Sequence, residues 1–340
     1  MPTTSVLSVF IRVAGSPQIG FGHLRRCWTL ASRLQESSSE IQFIAAQPEA
    51  AALLQQAGFS THQEPTPHSI EETIRLLQRT SSPSLCLVDD PQAKSDQLAS
   101  LNRHAPVLCI DDTCRRFFPV RMVTNGSAGA EGLPYQGIPE TRFLLGAPYI
   151  LLRPEFAQSP NRTTPAEKIR RILLLGGGGE SGAVFSQLLQ TLFQVMPQVQ
   201  VAVITGPFGT PPKLDPTWRA QVTVHRNPGN IRSLMLEADL AVSGGGQTAY
   251  ELAATATPTI GIQMSDNQGI NLKGLEAAGA LRNCGPFEAK SFPDHFAQSL
   301  QDLMNDPGTR RRMGTQGRAL VDGHGAHRVA EQIRELAFHE

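Results

Sequence analysis

The stretch Ser-Gly-Gly-Gly-Gln-Thr-Ala-Tyr-Glu at 243–251 joins an apolar run to a helix-forming one. Ala-Asp-Leu-Ala-Val at 238–242 reads as a buried strand, and 247–254 as the start of a helix. A strand, a glycine turn and a helix together aim backbone N–H groups and the positive helix end at an anion. Gly244, Gly245 and Gly246 carry no Cβ to keep a phosphate away from that backbone. Gln247 and Thr248 open the helix, and Glu251 lies one turn in, where a carboxylate can accept from a pair of ribose hydroxyls. The other reading is a turn that needs glycine for its shape alone.

A second candidate stands near the start. His23 closes the turn-rich loop Gly-Ser-Pro-Gln-Ile-Gly-Phe-Gly-His at 15–23, and residues 24–34 follow with apolar side chains at helical spacing. That puts His23 at the carboxyl end of the first strand, the rim where open α/β sheets bind ligands. A histidine there can serve as a general base near neutral pH, or it can simply hydrogen-bond the backbone where the helix begins. Two strands, 84–90 and 107–112, end in paired carboxylates, Asp89-Asp90 and Asp111-Asp112. Such pairs either bind a divalent metal or cap a helix. Capping is expected of Asp112, and Asp90 is kept as a candidate site residue.

The elements that must position these residues come in two series. The first has strands at 6–13, 41–46, 84–90 and 107–112, with helices at 24–34, 49–57 and 70–79. From 113 to 158 the pattern is broken by turns. A polar, proline-containing stretch at 158–167 reads as a linker. The second series has strands at 170–175, 199–205, 221–225, 238–242 and 258–263, a glycine loop at 176–182 and helices at 183–195 and 230–238. Residues 278–281 form a short apolar element, and helices at 292–304, 307–320 and 326–337 close the chain. The expected fold class is α/β, with two facing Rossmann-like doubly wound domains across a cleft. Their expected bounds are 1–157 and 168–322, with a helix at 323–340 packing back on the first domain. Both glycine loops then belong to the second domain and His23 to the first.

Composition narrows the function. The 340 residues carry 30 basic and 30 acidic side chains, so a basic surface for nucleic acid or membrane is not expected. No apolar run reaches transmembrane length, and the chain opens into a strand without a secretion signal's charged start. The cysteines, Cys27, Cys86, Cys109, Cys114 and Cys284, are scattered and show no C-x-x-C pair. Neither a zinc site nor a disulfide framework is expected, and a cytoplasmic protein with reduced thiols is. No lysine follows the 176 loop as a P-loop requires, and the dinucleotide fingerprint is missing.

At this point the chain resembles a known group. The matching segments are Ile-Gly-Phe-Gly-His-Leu-Arg-Arg-Cys at 19–27, Val88-Asp89, Ile-Asp-Asp at 110–112, and Leu-Leu-Gly-Ala-Pro-Tyr at 144–149 through Leu-Arg-Pro-Glu-Phe at 152–156. In the second half they are the 176 loop, 238–241, 243–251, Asp-Asn-Gln at 266–268 and Val-Asp-Gly-His-Gly-Ala-His-Arg-Val at 321–329. Together they resemble the UDP-sugar hydrolase family of pseudaminic acid biosynthesis, which acts on UDP-2,4-diacetamido-2,4,6-trideoxy-β-L-altropyranose. More distantly, the chain is similar to the GT-B glycosyltransferase that adds N-acetylglucosamine to lipid I.

The resemblance implies a GT-B architecture with UDP on the second domain and no metal or cofactor. It implies that His23, behind Gly20 and Gly22 of the G-x-G-H motif, assists water at the sugar's anomeric carbon. The bond between C1 and the phosphate oxygen would break with inversion. Asn267 would bond the sugar, with Gln268 beside it, and Glu251 the ribose. Thr248 and the amides of Gly244, Gly245 and Gly246 would hold the diphosphate, and Gln247, Gln268, and Gly177 and Gly178 of the 176 loop are further candidate substrate-binding residues. Arg26 would either brace the His23 turn or touch phosphate. Two positions depart from the group. Asp89-Asp90-Pro91 stands where the group carries Asp-His-Tyr, and Ala14 where it carries an acid. Both lie on the sugar side, and Asp90 is a candidate to hold the water, an acceptor hydroxyl or a sugar amine.

The leading expectation is therefore a hydrolase that releases a free amino-sugar for nonulosonic acid synthesis. The alternatives are a GT-B glycosyltransferase with a UDP-sugar donor and a non-catalytic nucleotide-sugar-binding protein. A lipid-linked acceptor would ask for an exposed apolar patch. Phe-Phe-Pro-Val-Arg-Met at 117–122 is the only candidate, and it reads as a strand. The sugar and the oligomeric state stay open.

Overall fold

Short runs of Val, Leu and Ile make strands that are buried on both faces, and helices must cover both sides of the resulting sheet. The computed structural model describes residues 6–16, 22–36, 39–160, 167–176, 181–206 and 209–338. It divides into two units, Met1–Arg153 with His324–Glu340, and Pro154–Gly323.

The first unit runs β1 (Ser8–Val13), α1 (Gly22–Gln35), β2 (Glu40–Ala45), α2 (Pro48–Gln56), β3 (Thr61–Gln63), α3 (Glu71–Arg79), β4 (Ser84–Asp89), α4 (Ser95–Asn102) and β5 (Val107–Ile110). It continues with β6 (Phe117–Phe118), β7 (Met122–Asn125), β8 (Gln136–Gly137) and β9 (Arg142–Leu145). Its sheet has the order β3-β2-β1-β4-β5-β7-β9, and β6 pairs with β8 apart from it. Strand order reverses between β1 and β4, where Val13 lies opposite Asp89. Such a switch point opens a crevice at the carboxyl ends of the strands.

Alternation along the strands sorts their side chains onto two faces. Val9, Ile11, Leu85, Leu87 and Leu108 share one core with Leu30 and Leu34 of α1. Phe10, Cys86, Val88 and Cys109 share the other with Leu77 of α3 and Leu98 of α4. The last helix, which runs Gly325–Phe338, contributes Val329, Ile333 and Leu336 to the α1 side. Burying an aliphatic side chain of this size is worth about 1.5–3 kcal/mol, enough to hold a C-terminal helix on an N-terminal sheet.

The second unit runs β10 (Arg171–Leu175), α5 (Gly182–Val195), β11 (Gln200–Thr205), β12 (Val222–Arg226), α6 (Ile231–Glu237), β13 (Leu240–Gly244) and α7 (Gln247–Ala254). It ends with β14 (Thr259–Gln263), α8 (Gly269–Ala277), β15 (Arg282–Pro286), α9 (Phe292–Asn305) and α10 (Pro307–Leu320). Its parallel sheet has the order β12-β11-β10-β13-β14-β15. Here the reversal falls between β10 and β13, whose carboxyl ends lie side by side with Leu175 opposite Ser243. Gly314 and Gly317 let α10 approach α7, because a Cβ at Gly317 would lie 3.2 Å from the Ala253 Cα.

Three sequence expectations need correction. The stretch at 113–158 is not merely turns, since its four-residue strands β7 and β9 extend the first sheet. Segments this short, separated by Gly and Pro, give no period to read. Helices α4 and α8 and strands β3 and β15 are further elements that the sequence pattern does not announce. Residues 278–281 are not an element of their own. Ala278 caps α8, and Gly279 turns the chain at φ 70° into β15.

All five cysteines are unpaired thiols, and burial pushes Cys86 up to about 12. Among the described residues no helix is long and apolar enough to cross a membrane. Phe117, at 46% exposure, is the outward residue of β6, and its neighbour Phe118 is buried.

Candidate functional site

Strand alternation decides what each of the four carboxylates at the first switch point can do. Asp89 continues the face of Leu85 and Leu87 toward α1, and Asp112 continues that of Leu108 and Ile110. Asp90 and Asp111 point to the opposite face, that of Cys86, Val88 and Cys109. The two acid pairs are therefore not two paired sites.

Asp89 is fully buried and gathers the polar groups of α1. Its Oδ1 lies 2.7 Å from His23 Nδ1. Arg26 donates to it from Nε at 2.5 Å and from Nη2 at 2.6 Å. Arg26 Nη1 also donates to both oxygens of Asp112 at 2.7 Å. Burial alone would raise the Asp89 carboxyl. The charges of Arg26 and His23 and their hydrogen bonds outweigh it and hold Asp89 well below the usual carboxylate range. An ionised carboxylate only accepts, so His23 donates to it from Nδ1 whichever charge the ring carries, and in the neutral ring Nε2 keeps the lone pair. Arg26 Nη2, 3.0 Å from Nδ1, is then a contact between two donors. The His23 side chain keeps 18% of its surface exposed. A ring oriented by a carboxylate through one nitrogen, with no partner on the other among the described residues, is able to serve as a general base.

Arg26 thus braces His23 through Asp89, and the phosphate-contact alternative is not what its donors do here. Asp112 is half-buried and pairs with Arg26, so the capping expected of it is a second correction. The cap-like role falls one residue earlier. Asp111 accepts from the backbone of Thr113 at 2.8 Å and of Cys114 at 2.6 Å, and from the Tyr135 hydroxyl at 2.9 Å. Burial first, and then the Asp111 charge, raises the Tyr135 phenol far above its ordinary value.

Asp90 is the third correction. It is 2% exposed, ion-paired to the buried Arg12, and accepts from the Gln92 backbone at 2.8 Å. Arg12 also donates to the carbonyls of Pro67 at 3.2 Å and Ser69 at 3.0 Å. Both Asp90 oxygens are thus engaged within the unit, Oδ2 by Arg12 and Oδ1 by the Gln92 N–H. The missed signal was Arg12 itself, because an arginine inside an apolar strand must have a buried partner.

At the second switch point, Gly246 caps α7, and Gln247 and Thr248 are its half-buried first residues. Glu251 is buried, at 4% exposure. Gly245 donates to Gln268 Oε1 at 3.1 Å, and Met264 N–H donates to the same oxygen at 3.0 Å. Asn271 donates from Nδ2 to the Gly245 carbonyl at 3.0 Å and accepts at Oδ1 from the Tyr250 hydroxyl at 2.9 Å. The expectation that all three glycine amides serve a diphosphate therefore needs correction at Gly245, whose N–H is taken within the unit. Gln268, expected among the substrate-binding residues, carries that bond with its side-chain oxygen. Asn267 is exposed and accepts from Ser265 Oγ at 2.7 Å. Gly22 opens α1, while Gly20, Gly177 and Gly178 lie outside the described residues. Among the described residues no group of three or more His, Cys, Asp or Glu could hold a metal ion.

No family model matches the chain. The spore coat polysaccharide biosynthesis protein SpsG of Bacillus subtilis is 25% identical over 203 residues, covering 58% of this chain and 59% of that protein. The UDP-N-acetylglucosamine–N-acetylmuramyl-(pentapeptide) pyrophosphoryl-undecaprenol N-acetylglucosamine transferase of Gloeobacter violaceus is 27% identical over 240 residues, 66% of this chain and 64% of that one. The chain thus spans about three fifths of the length of the curated relatives it matches. Acinetobacter baumannii MurG superposes with a TM-score of 0.67 over 97% of this chain and 99% of its own, at 14% identity. The fold is that of the GT-B glycosyltransferases. Each Rossmann-like unit of this GT-B chain carries its candidate residues at its own strand-order reversal, His23 and Asp89 in one and the 244–246 turn in the other.

Proposed function

We propose that this chain is an enzyme acting on a UDP-linked sugar, and that it hydrolyses it. The observation that carries the reading is the 2.7 Å contact of His23 Nδ1 with the buried Asp89, which leaves Nε2 to take a proton. In the proposed reaction the second unit holds UDP. The Gly246 backbone, Gln247, Thr248 and the glycines of the 176 loop meet the diphosphate, Glu251 the ribose and Asn267 the sugar. Backbone N–H groups and a helix end stabilise the charge that grows on the leaving phosphate. His23 removes a proton from the attacking water as its oxygen bonds to C1. The C1–O bond breaks, its electron pair leaves with UDP, and the anomeric configuration inverts. The proposed substrate is a diacetamido-trideoxy sugar nucleotide of nonulosonic acid synthesis, which the motif resemblance supports.

A second reading is transfer of the sugar to an acceptor hydroxyl by the same base. The likeness to the Gloeobacter violaceus transferase favours it. Incubation with UDP-linked diacetamido sugars in plain buffer separates the two. A hydrolase releases stoichiometric UDP and free sugar over many turnovers. Turnover that appears only when an acceptor is added would replace hydrolysis with transfer.

A further inference from the structure

The three glycines of the 244–246 turn are not equivalent. A Cβ at Gly245 would lie 2.5 Å from Leu272 Cγ and 3.0 Å from the Gln268 carbonyl oxygen. One at Gly244 would lie 3.1 Å from Met264 Sδ and 3.3 Å from Gln268 Oε1. A Cβ at Gly246 would meet nothing within 4 Å. Gly245 is therefore small because Leu272 of α8 and the Gln268 carbonyl press on it, Gly244 lies against the side-chain ends of Met264 and Gln268, and of the three Gly246 has its Cβ direction open among the described residues.

The Gly245 peptide is also held at both of its polar ends by the α8 region. Gln268 accepts its N–H at 3.1 Å, and Asn271 donates to its carbonyl at 3.0 Å. The same Gln268 oxygen accepts from Met264 N–H at 3.0 Å, which ties the end of β14 to the turn after β13. One side-chain oxygen thus fixes two backbone segments, and Gly246 follows directly on the second.

We infer that Gln268 is a positioning residue, which acts on the diphosphate through the Gly245 peptide and presents Gly246 as the one ligand-facing glycine of the turn. The inference rests on the proposed UDP site, and it gives Gln268 a role other than direct contact with the sugar. Because Asn267 precedes it in the chain, the same short segment serves the sugar side and sets the diphosphate grip.

The test uses the full chain, with UDP as the probe. Gln268→Ala should speed amide exchange at both Gly245 and Met264 by at least about tenfold and weaken UDP binding about tenfold, the loss of an acceptor shared by two donors. Gln268→Glu keeps the acceptor and should restore protection of both amides. Gly246→Ala should lower the melting temperature by no more than a few degrees, because its Cβ enters open space and only the N-cap preference of glycine is lost, yet weaken UDP binding at least about tenfold. Amides that stay protected in Gln268→Ala would overturn the brace. So would unchanged UDP affinity with a raised KM for the sugar nucleotide alone, which is the signature of a sugar contact. Full UDP affinity in Gly246→Ala would overturn the ligand-facing assignment. If the unaltered chain binds no UDP, the functional reading and Gly246's role both fall, and the exchange rates alone decide the brace.

Discussion

Replacing His23 by alanine should slow UDP release by about 10²–10⁴-fold, the usual contribution of a positioned general base. UDP affinity should stay the same, because the base takes no part in holding the nucleotide. Asp89→Asn should fall into the same range without touching the ring. The amide has no charge to fix the proton on Nδ1, and the imidazole is free to turn or to present the wrong nitrogen. Asp89 thus acts through His23 as a positioning residue. Its lowered proton affinity fixes the sign of its pH effect. The folded state favours the carboxylate, so its contribution to stability is complete above the ordinary carboxylate range. That contribution is lost only as the pH falls toward the lowered folded value. Steady-state UDP release and equilibrium UDP binding check both substitutions. An Asp89→Asn protein with full activity would remove the dyad from the mechanism.

Asp90→Ala should act on stability instead. It strands the Arg12 guanidinium, at 1% exposure, with two backbone carbonyls and no carboxylate closer than Glu64 at 3.9 Å. Leaving one member of a buried ion pair alone costs about 3–5 kcal/mol. In a unit of this size that corresponds to a melting-point loss on the order of 10 °C. The molecules that remain folded should retain nearly full activity. Replacing both residues together, with Arg12→Met and Asp90→Leu, should recover part of the loss, because no charge is then buried unpaired. Thermal melts followed by activity per folded molecule decide the matter. An Asp90→Ala protein that melts normally but has lost activity would return Asp90 to the site.

These two cases show how far the residues alone could be read. Apolar runs such as Arg171–Leu175 announce buried parallel strands, and the glycine turn after Leu240–Gly244 marks a helix start that anions favour. His23 is legible because it falls where the first strand gives way to the first helix. The partners of the carboxylates were harder. Asp89 and Asp90 are neighbours in sequence but lie on opposite faces of one strand, so adjacency suggested a pair where the fold makes two separate contacts. Arg26 reaches Asp112 across 86 positions of sequence, and Gln268 reaches Gly245 across 23. No local pattern encodes such a distance. Strands β7 and β9 escaped for a different reason, because four residues flanked by turns are too few to show alternation.

In the proposed mechanism an imidazole steered by Asp89 activates water against the anomeric carbon of a UDP-sugar. Turnover in ¹⁸O-labelled water tests it most directly, with mass spectrometry of both products. One labelled oxygen is expected on the sugar and none in UDP, with the signal lost in His23→Ala. Label in the UDP phosphate would mean that the P–O bond breaks instead, and labelled sugar formed at the full rate without His23 would contradict the base.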